Sequence, residues 1–240
     1  YTKPGDKVII QPPVYHPFRL TPEGNNREVV FNPLKLRDDG YYDMDFDNLE
    51  KVCDDKCRIF ILCNPHNPAG ICWRKETLQQ LADFCYDHHL LVISDEIHCD
   101  MAIFGHKHIP FATVSEKARE NSITFQAPTK TFNIAGIISS YAIIPNADIR
   151  KKFYGWIKAN ELDEANIFAP IATIAAFTKG EEWRKSMLTY IEDNVRFIED
   201  YCKKNIPQIH PLRPQASFLV WLNCRELNLD HKDLLDLFID

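Results

Sequence analysis

Short apolar runs alternate along this chain with longer stretches in which apolar positions recur every three or four residues. The short runs predict strands at Lys7–Gln11, Glu28–Asn32, Arg58–Cys63, Leu90–Ser94, Ser122–Phe125 and Ser139–Ile144. Two of them, Ile59-Phe60-Ile61-Leu62 and Leu90-Leu91-Val92-Ile93, are apolar throughout rather than alternating, as strands covered on both faces must be. Between these two, Leu78, Leu81, Ala82 and Cys85 repeat at helical spacing within Lys75–His88, so residues 58–94 read as a βαβ unit. An α/β fold with a mostly parallel sheet follows.

Beyond about Asn146 the pattern becomes helical. Trp183, Met187, Tyr190, Ile191, Val195, Ile198 and Cys202 form an apolar stripe over Glu181–Asn205, a length of helix that commonly bridges a large domain to a smaller one. The expected division is a large domain over residues 1–185 and the start of a small one over 186–240. A strand at Ser217–Leu222 and a helix N-capped by Asp230, with Asp233 in its first turn, complete the reading.

Composition narrows the function. At 240 residues the chain holds one large domain, or one plus part of another. Its net charge of −6, with no basic stripe, excludes the electrostatic footprint of a nucleic-acid binder. No apolar run reaches spanning length, and a start at Tyr1-Thr2-Lys3 leaves an upstream targeting segment open. The eight cysteines contain no Cys-x-x-Cys pair, and Cys53 and Cys57 lack a matching partner pair for zinc. They are expected to be reduced, mostly buried thiols, as in a cytoplasmic protein.

Ligands of parallel sheets sit beyond the carboxyl ends of the strands, so the polar residues there carry the chemistry. These are Tyr15, Asn64 and Asn67, Asp95 and His98, and Lys130. Lys130 lies among small, apolar and hydroxyl residues, a poor setting for a solvated charge and a good one for a covalent amine. Each of these residues also has a plainer reading. Lys130 could be structural, Asp95 a helix cap, Asn67 a turn residue between prolines, Tyr15 a core or surface tyrosine, and His98 a packed imidazole.

Three motifs occur in order: Asn64-Pro65-His66-Asn67-Pro68-Ala69-Gly70, Ser94-Asp95-Glu96-Ile97-His98 and Ala127-Pro128-Thr129-Lys130-Thr131-Phe132-Asn133-Ile134-Ala135-Gly136. In this order and spacing the chain resembles the fold-type I pyridoxal-phosphate enzymes. The best match is the aminotransferase-like C–S lyases of the cystathionine β-lyase (MalY/PatB and cystalysin) type. The resemblance covers essentially the whole chain. It implies the three-layer large domain of the aminotransferase fold, with part of a small α+β domain, in a homodimer.

The resemblance also assigns roles. Lys130 forms the Schiff base with pyridoxal 5'-phosphate and moves the substrate Cα proton. Asp95 pairs with the pyridine nitrogen and Asn67 donates to the phenolic oxygen. Tyr15 stacks on the ring, His98 stands where many relatives have a tyrosine, and Thr129, with Thr131 as a second hydroxyl, reaches the phosphate. The implied reaction is α,β-elimination from L-cystathionine or L-cysteine to a thiol, pyruvate and ammonia. The alternatives are a class I/II aminotransferase and a truncated, catalytically incompetent scaffold.

The sequence departs from the family at two places. Ala127 stands where many relatives have serine, and Ile138 where some aminotransferases have arginine. The family's main phosphate-binding turn and a partner-subunit tyrosine match positions upstream of Tyr1, and its carboxylate-clamping arginine matches one downstream of Asp240. The chain is therefore expected to be a central piece. Gly105-His106-Lys107-His108, with Asp95 and His98, is the remaining candidate for a metal cluster, but a loop His-x-His is more often incidental. No Gly-x-Ser-x-Gly, Walker or Gly-x-Gly-x-x-Gly motif is present.

Overall fold

The structure is a computed structural model that describes residues 1–239. Its first half interleaves strands and helices in the order β1 (Lys7–Ile10), α1 (Pro17–Gly24), β2 (Glu28–Phe31), β3 (Lys35–Leu36), β4 (Tyr42–Asp43), α2 (Phe46–Val52), β5 (Cys57–Cys63), α3 (Lys75–Asp87) and β6 (Leu91–Asp95). Next come α4 (Glu116–Glu120), β7 (Ser122–Gln126), the single turn α5 (Pro128–Thr131) and β8 (Tyr141–Ile143). Six strands form one sheet in the order β2-β1-β5-β6-β7-β8. All its pairings are parallel except β7 with β8 at the edge.

Alternation along each strand sorts side chains to two faces. Ile9, Phe60, Leu62 and Val92 point to the face covered by α2, α3 and α4, where Leu49, Leu78, Leu81, Cys85 and Ala118 are almost fully buried. Each large side chain removed from water there contributes about 1.5–3 kcal/mol. Local chemistry starts these helices: the Asp45 carboxylate accepts from Asn48 N–H at 2.9 Å, and Ser115 Oγ from Ala118 N–H at 3.1 Å. On the opposite face Phe18 of α1 covers Val8, Ile10, Ile59 and Cys63. Phe153 and Ile149, in α6 (Ala147–Ala159), cover Leu91, Ile123 and Ile144. The predicted three-layer, mostly parallel α/β architecture is therefore present.

The remaining elements are α7 (Phe168–Lys179), α8 (Glu181–Asn205), β9 (His210–Leu212), β10 (Trp221–Asn223) and α9 (His231–Ile239). β9 and β10 pair antiparallel, and Asp230 Oδ1 accepts from Asp233 N–H at 2.9 Å, the expected cap. One expectation fails. The strand predicted at Ser217–Leu222 begins only at Trp221, because Ser217 adopts φ +75° and its N–H bonds to Met101 O, outside any ladder. The short hairpin β3–β4 and helix α1, which holds Pro17 and Pro22, carry too little periodicity to be read from sequence. Among the described residues no helix is long and apolar enough to cross a membrane.

Candidate active site

Strand register brings the three motifs together. Cys63 at the end of β5 pairs with Asp95 at the end of β6, and Asp95 with Phe125 near the end of β7. Three successive parallel strands thus end level. The Asn64–Gly70 turn, the Asp95–His98 turn and the Lys130 turn leave from one edge, and Tyr15 follows the carboxyl end of β1 on the same edge.

Beside α1 the sheet face is open, and a cavity of about 600 Å³ lies there. Its floor is Ile59, Ile61, Ile93 and Phe125, and Tyr15 and Asp95 share its lining. Asp95 follows Ile93 by two positions, so its carboxylate points to this face. Oδ1 accepts from Ile97 N–H at 3.2 Å. Burial raises the Asp95 pKa above the usual carboxylate value and Glu96 adds to this, while the Ile97 bond and the charge of Lys130 act against it. Tyr15 is 41% exposed, with its ring edge-on to Phe18 at 6.1 Å.

Lys130 sits in α5, which Pro128 starts at the first helical position, where a missing N–H is harmless. The turn is closed by Phe132 N–H to Pro128 O at 2.9 Å and Ile134 N–H to Thr129 O at 3.0 Å. Lys130 is half-buried, and its charge acts on both Asp95 and His98. His98 is buried, and desolvation, then Lys130, lower its pKa to about 4, so the imidazole is neutral at pH 7. Asn67 is held by its backbone: its N–H donates to Cys63 Sγ at 3.2 Å, from inside a turn with cis peptides before Pro65 and Pro68.

The structure thus gathers Tyr15, Asn67, Asp95, His98, Thr129 and Lys130 on one rim. Tyr15 and Asp95 share one cavity, and Lys130 acts electrostatically on Asp95 and His98. His98 Nδ1 and Thr131 Oγ1 are buried without a hydrogen-bond partner. A polar planar ligand in this cavity would meet a carboxylate and an aromatic ring, and the Lys130 turn leaves the same edge of the sheet. These residues fit the ring and aldehyde of pyridoxal phosphate, and the chain offers few groups for its phosphate.

Sequence reading missed the residue that knits this rim together. Glu96 is fully buried, and its carboxylate accepts from Ser94 Oγ at 2.9 Å, Phe111 N–H at 2.8 Å and Asn64 Nδ2 at 3.5 Å. It also pairs with His108 Nε2 at 2.8 Å and takes a longer contact from Gln126 Nε2 at 3.4 Å. His108, weighed above as a metal ligand, is committed to this carboxylate. Among the described residues no group of three or more histidine, cysteine or acidic side chains is arranged to hold a metal ion. The available signal was a second carboxylate at the end of a wholly apolar strand, where only a hydrogen-bonded acid is tolerated.

The model of the aminotransferase class I and II family matches residues 1–237. The chain belongs to that family. Cystathionine β-lyase PatB of Bacillus subtilis (strain 168) is 44% identical over 235 residues, covering 98% of this chain and 60% of PatB. Cystalysin from Treponema denticola, whose crystal structure contains pyridoxal 5'-phosphate, superposes with a TM-score of 0.95 at 35% identity, over 100% of this chain and 61% of that one. A pyridoxal-phosphate-bound putative aminotransferase from Clostridium difficile 630 superposes with a TM-score of 0.96 at 39% identity, over 100% of this chain and 62% of that one. This member of the family therefore spans about 60% of the length of such relatives.

Proposed function

We propose that this chain carries the cofactor-binding core of a pyridoxal-phosphate-dependent C–S β-lyase that cleaves L-cystathionine or L-cysteine-type substrates to a thiol, pyruvate and ammonia. The observation that carries the reading is the level ending of β5, β6 and β7, which sets Asp95 in the cavity and Lys130 on the adjacent turn. The likeness to a cystathionine β-lyase at 44% identity supports the substrate class.

Pyridoxal phosphate, when bound, supplies an aldehyde for an amine and a protonated ring that withdraws electrons from the substrate Cα. The chain's own residues do the rest. Lys130 Nζ would hold the aldehyde and, once released, would take the Cα proton, whose electron pair becomes the Cα–Cβ double bond as the Cβ–S bond breaks and the thiolate leaves to be protonated. Asp95 accepts the ring N–H, and that positive partner offsets the cost of its burial. Asn67 donates to the phenolic oxygen, Tyr15 stacks on the ring, and His98, neutral at pH 7, borders the site without adding charge. The Thr129 hydroxyl, with Thr131 as a second donor, is the chain's contribution to phosphate binding.

The same proposal includes a homodimer in the cytoplasm and a division into residues 1–185 and 186–240. An apolar face supports the dimer: Ile167, Phe168, Ile171 and Ile174 are each more than 60% exposed along α7. Eight free thiols fit a reducing compartment.

Borohydride reduction with pyridoxal phosphate, followed by peptide mapping, tests the cofactor site. A pyridoxyl group on Lys130 supports it, and an unmodified Lys130 removes it. An aminotransferase is the second reading, favoured by the likeness to the Clostridium protein. Pyruvate formed from cystathionine by the complete protein without a keto-acid acceptor decides for the lyase, and keto-acid dependence decides for the transaminase.

A further inference from the structure

The segment joining β9 to β10 is not a passive connection. Gln215 N–H and Ala216 N–H both donate to Gly70 O, at 2.7 and 3.1 Å. Cys72 N–H donates to Gln215 Oε1 at 2.9 Å. On its other side, Ile103 N–H donates to Gln215 O and Ser217 N–H to Met101 O, each at 3.0 Å. Gly70 and Met101 each lie three residues after a proposed cofactor-side residue, Asn67 and His98 respectively. One strap therefore ties the two turns together.

The fit is tight. Gly70 has φ +63°, and a Cβ there would lie 2.6 Å from Pro214 Cβ and 2.9 Å from Ala216 O. Only glycine allows the strap this close. Ala216 and Ser217 are buried, and Ser217 holds φ +75°, a conformation costly for a residue with a side chain. Its hydroxyl has no hydrogen-bond partner, so no local side-chain bond compensates for that backbone. The next residue, Phe218, is placed against the His98 ring, with centroids 5.7 Å apart and planes at 57°. Strain kept at one residue, with an aromatic contact on a site residue as its consequence, points to a positioning role.

We propose that Gln215–Phe218 is a positioning strap, which locks the Asn67 turn to the His98 turn through its backbone and sets the His98 ring through Phe218. The inference rests on the reading of Asn67 and His98 as cofactor-side residues. It goes beyond that reading by making the site depend on a segment more than a hundred residues away in the chain. The segment after His98, to which the strap bonds, is anchored to α8 as well: Arg184 donates to Asp100 O at 3.0 Å, and Glu192 accepts from Phe104 N–H at 2.7 Å.

The experiment follows the ring signals of His98 by NMR in the full 240-residue chain without cofactor, assigned with His98→Gln. It also measures pyridoxal phosphate affinity by titration. Gly70→Ala, in the other turn, should displace the strap and shift the His98 signals while amide signals of the sheet stay in place. Phe218→Leu should weaken pyridoxal phosphate binding about tenfold, the size of one lost aromatic contact, and Phe218→Tyr should restore it. Unchanged His98 signals in folded Gly70→Ala overturn the coupling. Unchanged affinity in Phe218→Leu overturns the positioning role, and it is decisive even where Gly70→Ala does not fold, since Phe218 is half-exposed. Absence of cofactor binding by the unmodified chain sinks the proposed function instead, while the His98 signals still report on the strap.

Discussion

Asp95, beside Lys130, shows how its setting changes an ordinary side chain. Asp95 is a carboxylate whose burial favours the neutral form, and a cationic partner is what restores its charge. Replacing Asp95 with Asn should weaken pyridoxal phosphate binding and abolish turnover in the complete protein, leaving the fold intact by circular dichroism. Retained affinity and turnover would remove its assigned role. The buried histidines carry a pH signature of their own. His66 and His98 both have pKa values lowered to about 4 by burial, against about 6.5 in an unfolded chain. The unfolded state therefore binds more protons between these values, and stability falls as pH drops from about 6.5 to 4, by up to about 3 kcal/mol for each histidine. Asp95, with its raised pKa, contributes a change of opposite sign at the lower end of that window. Urea unfolding across this range should show the decline, and His66→Gln should flatten it. His98, Asp95 and Lys130 were singled out from sequence as polar residues that follow strands; Glu96, in the same motif as Asp95, was not, since its five partners come from four separate segments.

At the level of elements, the sheet and α3 were the readable part. Their apolar periods are strong, and α3 in the structure runs from Lys75 to Asp87 against an expected Lys75–His88. Leu81→Ala, at a site with no exposure, should cost about 2–5 kcal/mol in urea unfolding, because the helix cannot collapse onto the sheet without leaving a cavity. A loss below 1 kcal/mol would mean that α3 repacks freely. The turns behave differently. Glu96→Ala should cost about 3–5 kcal/mol, since it strands His108 and the Phe111 N–H in a buried place. Ser217 and Phe218 of the strap were read as the start of a strand over Ser217–Leu222 because Phe218, Leu219 and Val220 have strand composition, while the N–H groups of Gln215, Ala216 and Ser217 bond to two loops.

For the molecule as a whole, the unsatisfied feature is the exposed face of α7. That face adjoins the turn after Lys130, where Asn166 Nδ2 donates to Ile137 O at 2.7 Å and Ser139 Oγ meets Thr173 Oγ1 at 2.8 Å. In the proposed homodimer, Ile171→Glu with Ile174→Glu should shift sedimentation velocity toward monomer, and an unchanged dimer would exclude α7 as its interface. The sequence alone determined the alternation of strands and helices, the reactive motifs and their order, because periodicity and turn chemistry are local properties. Tertiary structure decided that Cys63, Asp95 and Phe125 end level, that Glu96 and His108 meet at 2.8 Å, and that a distant strap reaches Gly70 and His98. Those outcomes depend on strand register and on close packing between segments far apart in the chain, which no local pattern encodes.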